Sequence, residues 1–240
     1  MEQRRKRKAK DPEVDRVIMS LWNVIDDLER LLPSHSRWYR VTIFGSSRIT
    51  RGDALYNSAR DLAFQLTKLG CDIVTGGGPG LMEAANEGAQ EGDIEGKTKS
   101  YGLHIELPHE YEPNKYLDRM SIHRTFFSRL HHFVRLSHAY IVMPGGIGSS
   151  LETFMIWQLL QVGYLKDRPL ILLGDMWQGL LDWMEKQMLP HKLISQEDLQ
   201  IAKVVESIEA AVQIIRVSKE KFDQESQAFE NAGSKRLGVQ

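Results

Sequence analysis

Cysteine is nearly missing from this chain: Cys71 is the only one in 240 residues. A single thiol excludes an intramolecular disulfide and any zinc site built on paired cysteines. Long apolar runs are missing too. No stretch approaches the roughly 18 residues of a membrane span, and the charged N-terminus lacks the apolar core of a signal peptide. The expectation is a soluble, cytoplasmic protein with no membrane contact. Two nucleotide signatures are also absent. No glycine loop is followed by Gly-Lys-Ser/Thr, and none spells Gly-x-Gly-x-x-Gly at the opening of the first βαβ unit, which disfavours ATP and NAD. No strong charge of one sign marks the whole chain, whose net charge is -1.

That balance hides an asymmetry. Residues 1–10 carry six basic groups against Glu2, so the rest of the chain is acidic. With almost no apolar residue, residues 1–12 are expected to be a solvated, disordered tail. Its charge would also suit nucleic acid or an acidic surface. No basic face interleaved with aromatics supports that use elsewhere, so a dedicated nucleic-acid binder is not expected.

What is present is a regular alternation. Hydrophobic residues make up 42% of the chain, enough for a sizeable core. Apolar residues at three- and four-residue spacing from Val14 to Leu32 predict an amphipathic helix over 13–32, ended by Pro33. Short apolar runs then appear at Arg40–Phe44, Asp72–Thr75, Ser100–Leu107, Ala139–Met143 and Pro169–Leu173. Helical patterns separate or follow them at 53–69, 80–90, 122–136, 149–163 and 177–188. Loops are expected at 90–99 and 108–118. A last helix rests on Val205, Ile208, Ala211, Ile214 and Ile215, and fraying is expected after about 218. The alternation predicts an α/β, Rossmann-like, mostly parallel sheet with helices on both faces and an extra N-terminal helix. Residues 13–220 would form a single domain, with 221–240 as a C-terminal tail.

Two strand ends carry glycine loops: Gly76-Gly77-Gly78-Pro79-Gly80 and Pro144-Gly145-Gly146-Ile147-Gly148-Ser149. Ligands in open α/β sheets bind outside the carboxyl ends of strands, and a glycine turn before a helix lets backbone N–H groups approach an anion. Two such loops together point to a phosphorylated ligand, with its phosphate at the helix beginning near Ser149. The first strand ends in Phe44-Gly45-Ser46-Ser47, a small-residue turn that is also able to approach a ligand. Glu152, close behind the second loop, has two readings from spacing alone. It either completes a Ser149-x-x-Glu152 capping box and complements the helix dipole, or it does chemistry. Arg124, Arg129 and Arg135, with His123, His131 and His132, form a cation-rich stretch; without acidic partners the histidines do not make a metal site. No metal is expected.

The segment Pro144-Gly145-Gly146-Ile147-Gly148-Ser149-Ser150-Leu151-Glu152 resembles the Pro-Gly-Gly-x-Gly-Thr-x-x-Glu motif of the LONELY GUY (LOG) family. These are cytokinin riboside 5′-monophosphate phosphoribohydrolases, long labelled lysine decarboxylases. Phe44-Gly45-Ser46-Ser47, Gly76-Gly77-Gly78-Pro79-Gly80-Leu81-Met82 and Arg129 follow in family order, and the likeness covers about 38–190. It implies a Rossmann-like fold, a homodimer or larger assembly with the site near the interface, and no cofactor. The implied reaction cleaves the N-glycosidic bond of nucleoside 5′-monophosphates. Glu152 and Arg129 become the catalytic pair. Gly145, Gly146, Gly148 and Ser149 become the phosphate loop, with Gly77, Gly78 and Ser46 completing the pocket. Leu130 stands where the family usually has Lys, and Ser149 where it has Thr. The resemblance leaves open a cytokinin-activating enzyme, a general purine or pyrimidine nucleotide hydrolase, and a non-catalytic nucleotide-binding module. Lysine decarboxylation would need a lysine for pyridoxal phosphate, and no lysine stands at either glycine loop.

Overall fold

The computed structural model describes residues 38–106 and 112–236, with side chains as far as 228, together with Glu13 and Arg16. Trp38–Gln240 forms one compact unit and Met1–Arg37 another. The basic tail and most of the helix expected over 13–32 lie outside the described residues; Glu13 and Arg16 are both helical and exposed.

From Arg40 onward the described elements are β1 (Arg40–Phe44), α1 (Ala54–Lys68), β2 (Asp72–Thr75), α2 (Leu81–Gly92), β3 (Ser100–Ile105) and β4 (Arg119–His123). Then come α3 (Phe126–Leu136), β5 (Ala139–Val142), α4 (Ile147–Gln161), β6 (Leu170–Leu173), a short 3-10 turn at Asp175–Trp177 and α5 (Gln178–Gln187). The chain closes with α6 (Gln196–Ile201), β7 (Ala202–Val205) and α7 (Ile208–Arg236). The strands form one sheet in the order β4-β3-β2-β1-β5-β6-β7, every pair parallel.

The central strands are short, apolar and buried along their whole length, as a sheet covered on both faces requires. Their side chains alternate between two cores. Val41, Ile43, Ile73, Ile141 and Ile171 face one side with α1, α2 and α7. Phe44, Val74, Tyr140, Val142, Leu170 and Leu172 face the other with α3, α4, α5 and α6. Period-2 geometry makes this split unavoidable once the strands are straight. Helices α1 and α2 pack backbone to backbone: a Cβ at Gly88 would lie 1.9 Å from the Arg60 carbonyl oxygen. No larger residue fits there.

Four boundaries differ from the sequence expectation. The helix expected over 122–136 begins at Phe126, capped by the Thr125 hydroxyl, because Arg119–His123 is an edge strand. Val205 belongs to β7 rather than to the last helix, and α6 is an additional short helix with a Ser195–Asp198 capping box. The helix expected at 149–163 runs from Ile147 to Gln161. The backbone of α7 stays helical to Arg236, past the expected fraying point.

The strand order reverses between β1 and β5. The chain builds outward from β1 through β4, returns to β5 beside β1, and builds outward again. Helices α1 and α4 therefore leave adjacent strands toward opposite faces, which opens a crevice at the carboxyl edge.

Candidate active site

That crevice holds a cavity of about 780 Å³, lined by the ends of β1, β2, β3 and β5 and the first turns of the helices that follow. Three loops meet there. The Ser46 amide donates to the Pro144 carbonyl (3.2 Å), and the Ser46 carbonyl accepts from the Leu81 amide (2.9 Å). Gly80 turns at φ +75°, where a Cβ would lie 2.4 Å from that same Ser46 oxygen. Only glycine closes the turn.

The loop after β5 ends in Gly146, the N-cap of α4, which has no side-chain cap. The first turn of α4 therefore presents bare backbone N–H groups to the cavity, with no acidic residue among them. Gly145, Gly146, Gly148 and Ser149 all line the cavity. The Ser149 hydroxyl fills the space over Gly145, where a Cβ would come within 2.2 Å of it.

Glu152 lies six residues into α4, in the second turn. The capping-box reading is thereby overturned: Ser149 is inside the helix rather than at its cap, and the first turn holds no carboxylate. Glu152 instead meets Arg129, reaching across from α3, with Nη1 to Oε1 at 3.4 Å. Both side chains are nearly buried, at 12% and 11% exposure. Arg129 is held three ways besides: Nε donates to the Leu103 carbonyl (2.6 Å), the guanidinium lies over the Phe133 ring, and Gly76 leaves it room. A Cβ on Gly76 would sit 2.2 Å from Arg129 Nη2. Burial raises the Glu152 carboxyl from 4.5 to about 7, partly countered by the positive charge of Arg129. A carboxyl poised there, against a fixed guanidinium and beside an uncapped helix N-terminus, is equipped to stabilise positive charge on a bound ligand.

The structure brings together most of the residues singled out from sequence. Glu152, Arg129, Gly145, Gly146, Gly148, Ser149, Ser46 and Gly78 line one cavity. Gly77 is not among its lining residues; it turns at φ +73° against Gly102, and its carbonyl accepts from the Asn114 amide. Of the cation-rich stretch only Arg129 lines the cavity. His123 and His132 bond to each other instead (3.0 Å), and burial pushes His132 down to about 4. Among the described residues no group of three His, Cys, Asp or Glu is placed to hold a metal. The sequence reading gave no place in the site to Arg48, Ile49, Leu55, His104, Ile105 and Phe126, and quoted Met82 only as part of a motif; all line the wall. Only Arg48 carried a signal, as the first charged residue after the Gly45-Ser46-Ser47 turn.

Residues 82–215 match the family described as "Possible lysine decarboxylase". Among the described residues no lysine lines the cavity, so these residues offer no anchor for pyridoxal phosphate. The chain is 34% identical over 140 residues to the pyrimidine/purine nucleotide 5′-monophosphate nucleosidase of Escherichia coli K12. That match takes in 56% of this chain and 30% of the relative, so less than a third of the relative's length is represented. Among solved structures, the Moco carrier protein of Chlamydomonas reinhardtii superposes with a TM-score of 0.56 at 16% identity, covering 77% of this chain and 99% of that one. The structural-genomics target TM1055 gives 0.55 at 24% identity, covering 74% and 98%. These two likenesses speak for the fold alone. With the family match spanning 134 residues from α2 to α7, and the Pro144–Glu152 motif lining the switch-point cavity, the chain belongs to the LOG family, the group that carries the lysine decarboxylase description.

Proposed function

We propose that this protein hydrolyses the N-glycosidic bond of nucleoside 5′-monophosphates, releasing free base and ribose 5-phosphate. The observation that carries the reading is the buried Arg129–Glu152 pair set one helical turn behind the uncapped N-terminus of α4. The phosphate binds the N–H groups of the Gly145–Ser149 loop and so fixes the ribose over Glu152. As the C1′–N bond breaks, its electron pair leaves on the base and positive charge builds on the ribose, as in glycoside hydrolysis. The Glu152 carboxylate stabilises that charge and positions the water whose oxygen bonds to C1′, while a proton of that water ends on the base. Arg129 holds the carboxylate in place and orients the substrate. No residue in this scheme calls for a metal or organic cofactor.

Ile49, Leu55, Met82, Ile105 and Phe126 make much of the remaining wall apolar, which suits a base read by shape. The relative named as a pyrimidine/purine nucleotide 5′-monophosphate nucleosidase favours a general purine or pyrimidine nucleotide hydrolase working on cytoplasmic nucleotides over one dedicated to cytokinin nucleotides. A second copy of the chain is the partner this reading expects. Phe126 and Ile147 border the cavity and are 47% and 89% exposed, and Phe127, Leu151, Phe154, Met120 and Ile122 are exposed on the same helices and on the neighbouring edge strand. Apolar surface of this extent is normally covered by a subunit.

The deciding experiment pairs turnover with affinity. Wild type incubated with a panel of nucleoside monophosphates should release free base. Glu152→Gln should lose on the order of 10²-fold in release while still binding the ligand, because the phosphate loop is intact. Arg129→Ala should also lose activity, with the double variant less than multiplicative. Binding without turnover by wild type would make the protein a nucleotide-binding module. Full turnover in Glu152→Gln would remove the carboxylate from the chemistry.

A further inference from the structure

Arg48 is the cation of the cavity that the scheme above does not use. It follows the Gly45-Ser46-Ser47 turn and lines the cavity. Its amide donates to the Ser46 hydroxyl (3.1 Å), while its guanidinium has no partner among the described residues. The other lining arginine, Arg129, is engaged by Glu152, the Leu103 carbonyl and the Phe133 ring. A bound dianion thus meets one pre-neutralised arginine and one open one.

The loop that carries Arg48 is fixed at both ends. At its start, Ser46 is bonded to Pro144 and to Leu81. At its end, Arg51 makes a two-pronged contact with Glu87 (2.9 Å each) and donates to the Tyr116 hydroxyl (2.9 Å). Tyr56 and Tyr116 donate to the same carboxylate. Glu87 is buried, and these partners hold its carboxyl below the usual range despite the burial. This cluster does no chemistry in the proposed reaction; it holds the β1–α1 loop. Arg48 lies two residues from Ser46, at most about 7 Å along the chain. Ser46 is bonded to Pro144, the residue that opens the anion loop. An extended arginine spans that gap.

We propose that Arg48 grips the phosphate seated on the Gly145–Ser149 loop and makes the site select phosphorylated ligands, with Arg51 as the positioning residue that holds its loop. This rests on the nucleotide reading above and adds a second, side-chain source of phosphate recognition to the backbone one. A guanidinium fork matches phosphate oxygens in pairs, and a loop already pinned loses little freedom on binding.

The test uses the full chain with Arg48→Ala and Arg48→Lys, read by base release from several monophosphates and by calorimetric binding of ribose 5-phosphate. In Arg48→Ala, KM should rise about 10- to 100-fold for purine and pyrimidine monophosphates alike, with kcat within a few-fold of wild type. Affinity for ribose 5-phosphate should fall by a similar factor, and Arg48→Lys should recover part of both. A KM change that depends on the base, with ribose 5-phosphate affinity unchanged, would show that Arg48 reads the base and overturn the proposal. Unaltered KM and affinity would do the same, as would wild type that binds no ribose 5-phosphate. Should wild type bind ribose 5-phosphate without releasing base, the hydrolase reading fails, and the calorimetric comparison still decides the role of Arg48.

Discussion

Replacing Glu152 by Gln should make the protein more stable at neutral and alkaline pH while disabling it. The carboxyl ionises near 4.5 when exposed and near 7 in the folded protein, because burial beside Arg129 disfavours the charged form more than the arginine favours it. A carboxyl raised in this way leaves the folded state at full stability below about pH 4.5. Between there and pH 7 the unfolded chain has released the proton that the folded one still holds, so stability falls as pH rises, and it levels off above 7. The gap corresponds to about 3 kcal/mol. Glutamine cannot ionise, so Glu152→Gln should match wild type near pH 4.5 and exceed it by up to about 3 kcal/mol at pH 8, or roughly 6 to 12 °C in Tm for a domain of this size. Other groups titrate in both proteins and cancel in the difference. The assay is thermal or urea unfolding of both proteins across pH 4.5–8, in buffer free of phosphate because that anion suits the pocket. A wild type–variant difference that stays flat with pH, or a Gln variant less stable at pH 8, would refute the electrostatic account of this residue. The same carboxyl should give base release an acid limb centred near pH 7, absent from the residual activity of the variant.

Gly76→Ala should bring a methyl group within 2.2 Å of Arg129 Nη2 and 2.6 Å of Met82 Sδ, both ends of flexible side chains. The fold should survive with a loss of about 1–3 kcal/mol while base release collapses as Arg129 leaves Glu152, measured by denaturation and turnover on one preparation. Glu87→Ala should cost about 1–3 kcal/mol, since it leaves the buried Tyr56 hydroxyl without its acceptor, and urea titration checks it. Light scattering at micromolar concentration should find wild type as the proposed dimer and Phe127→Asp, at the most exposed phenylalanine of α3, as a monomer; a monomeric wild type would end the dimer proposal.

The parts legible in the sequence were those whose physics is local. Strands β1 and β2 match their predicted limits because each is a buried apolar run cut off by glycine. Strand β4 was invisible: Arg119-Met-Ser-Ile-His is half polar and exposed, and Ile122 falls in phase with the helix that follows. Strand β7 is four residues long and merges with the apolar rhythm of α7. In the site, the glycine loops announced an anion, and family likeness singled out Glu152 and Arg129. Their contact was not legible from spacing, because it joins two helices that the sheet brings together. The start of α4 was misplaced because Gly148 reads as loop, yet it occupies the first helical turn, where its open backbone faces the cavity.

The parallel pairing of β1 with β5 joins Val41 to Ala139 and Phe44 to Val142, partners nearly a hundred residues apart. Everything between them, three helices and three strands, has to be threaded before the two central strands can meet. Closing so long a loop is entropically slow, and parallel sheets of this kind fold late and as a whole. The crevice therefore has no precursor: the turn carrying Ser46 and Arg48 and the helix carrying Glu152 become neighbours only when that central pairing forms. A fragment beginning at Met82, where the family match starts, would carry both Arg129 and Glu152 and still lack the strand that closes the sheet. In refolding, ligand binding should return in the slowest phase, together with the last native signal.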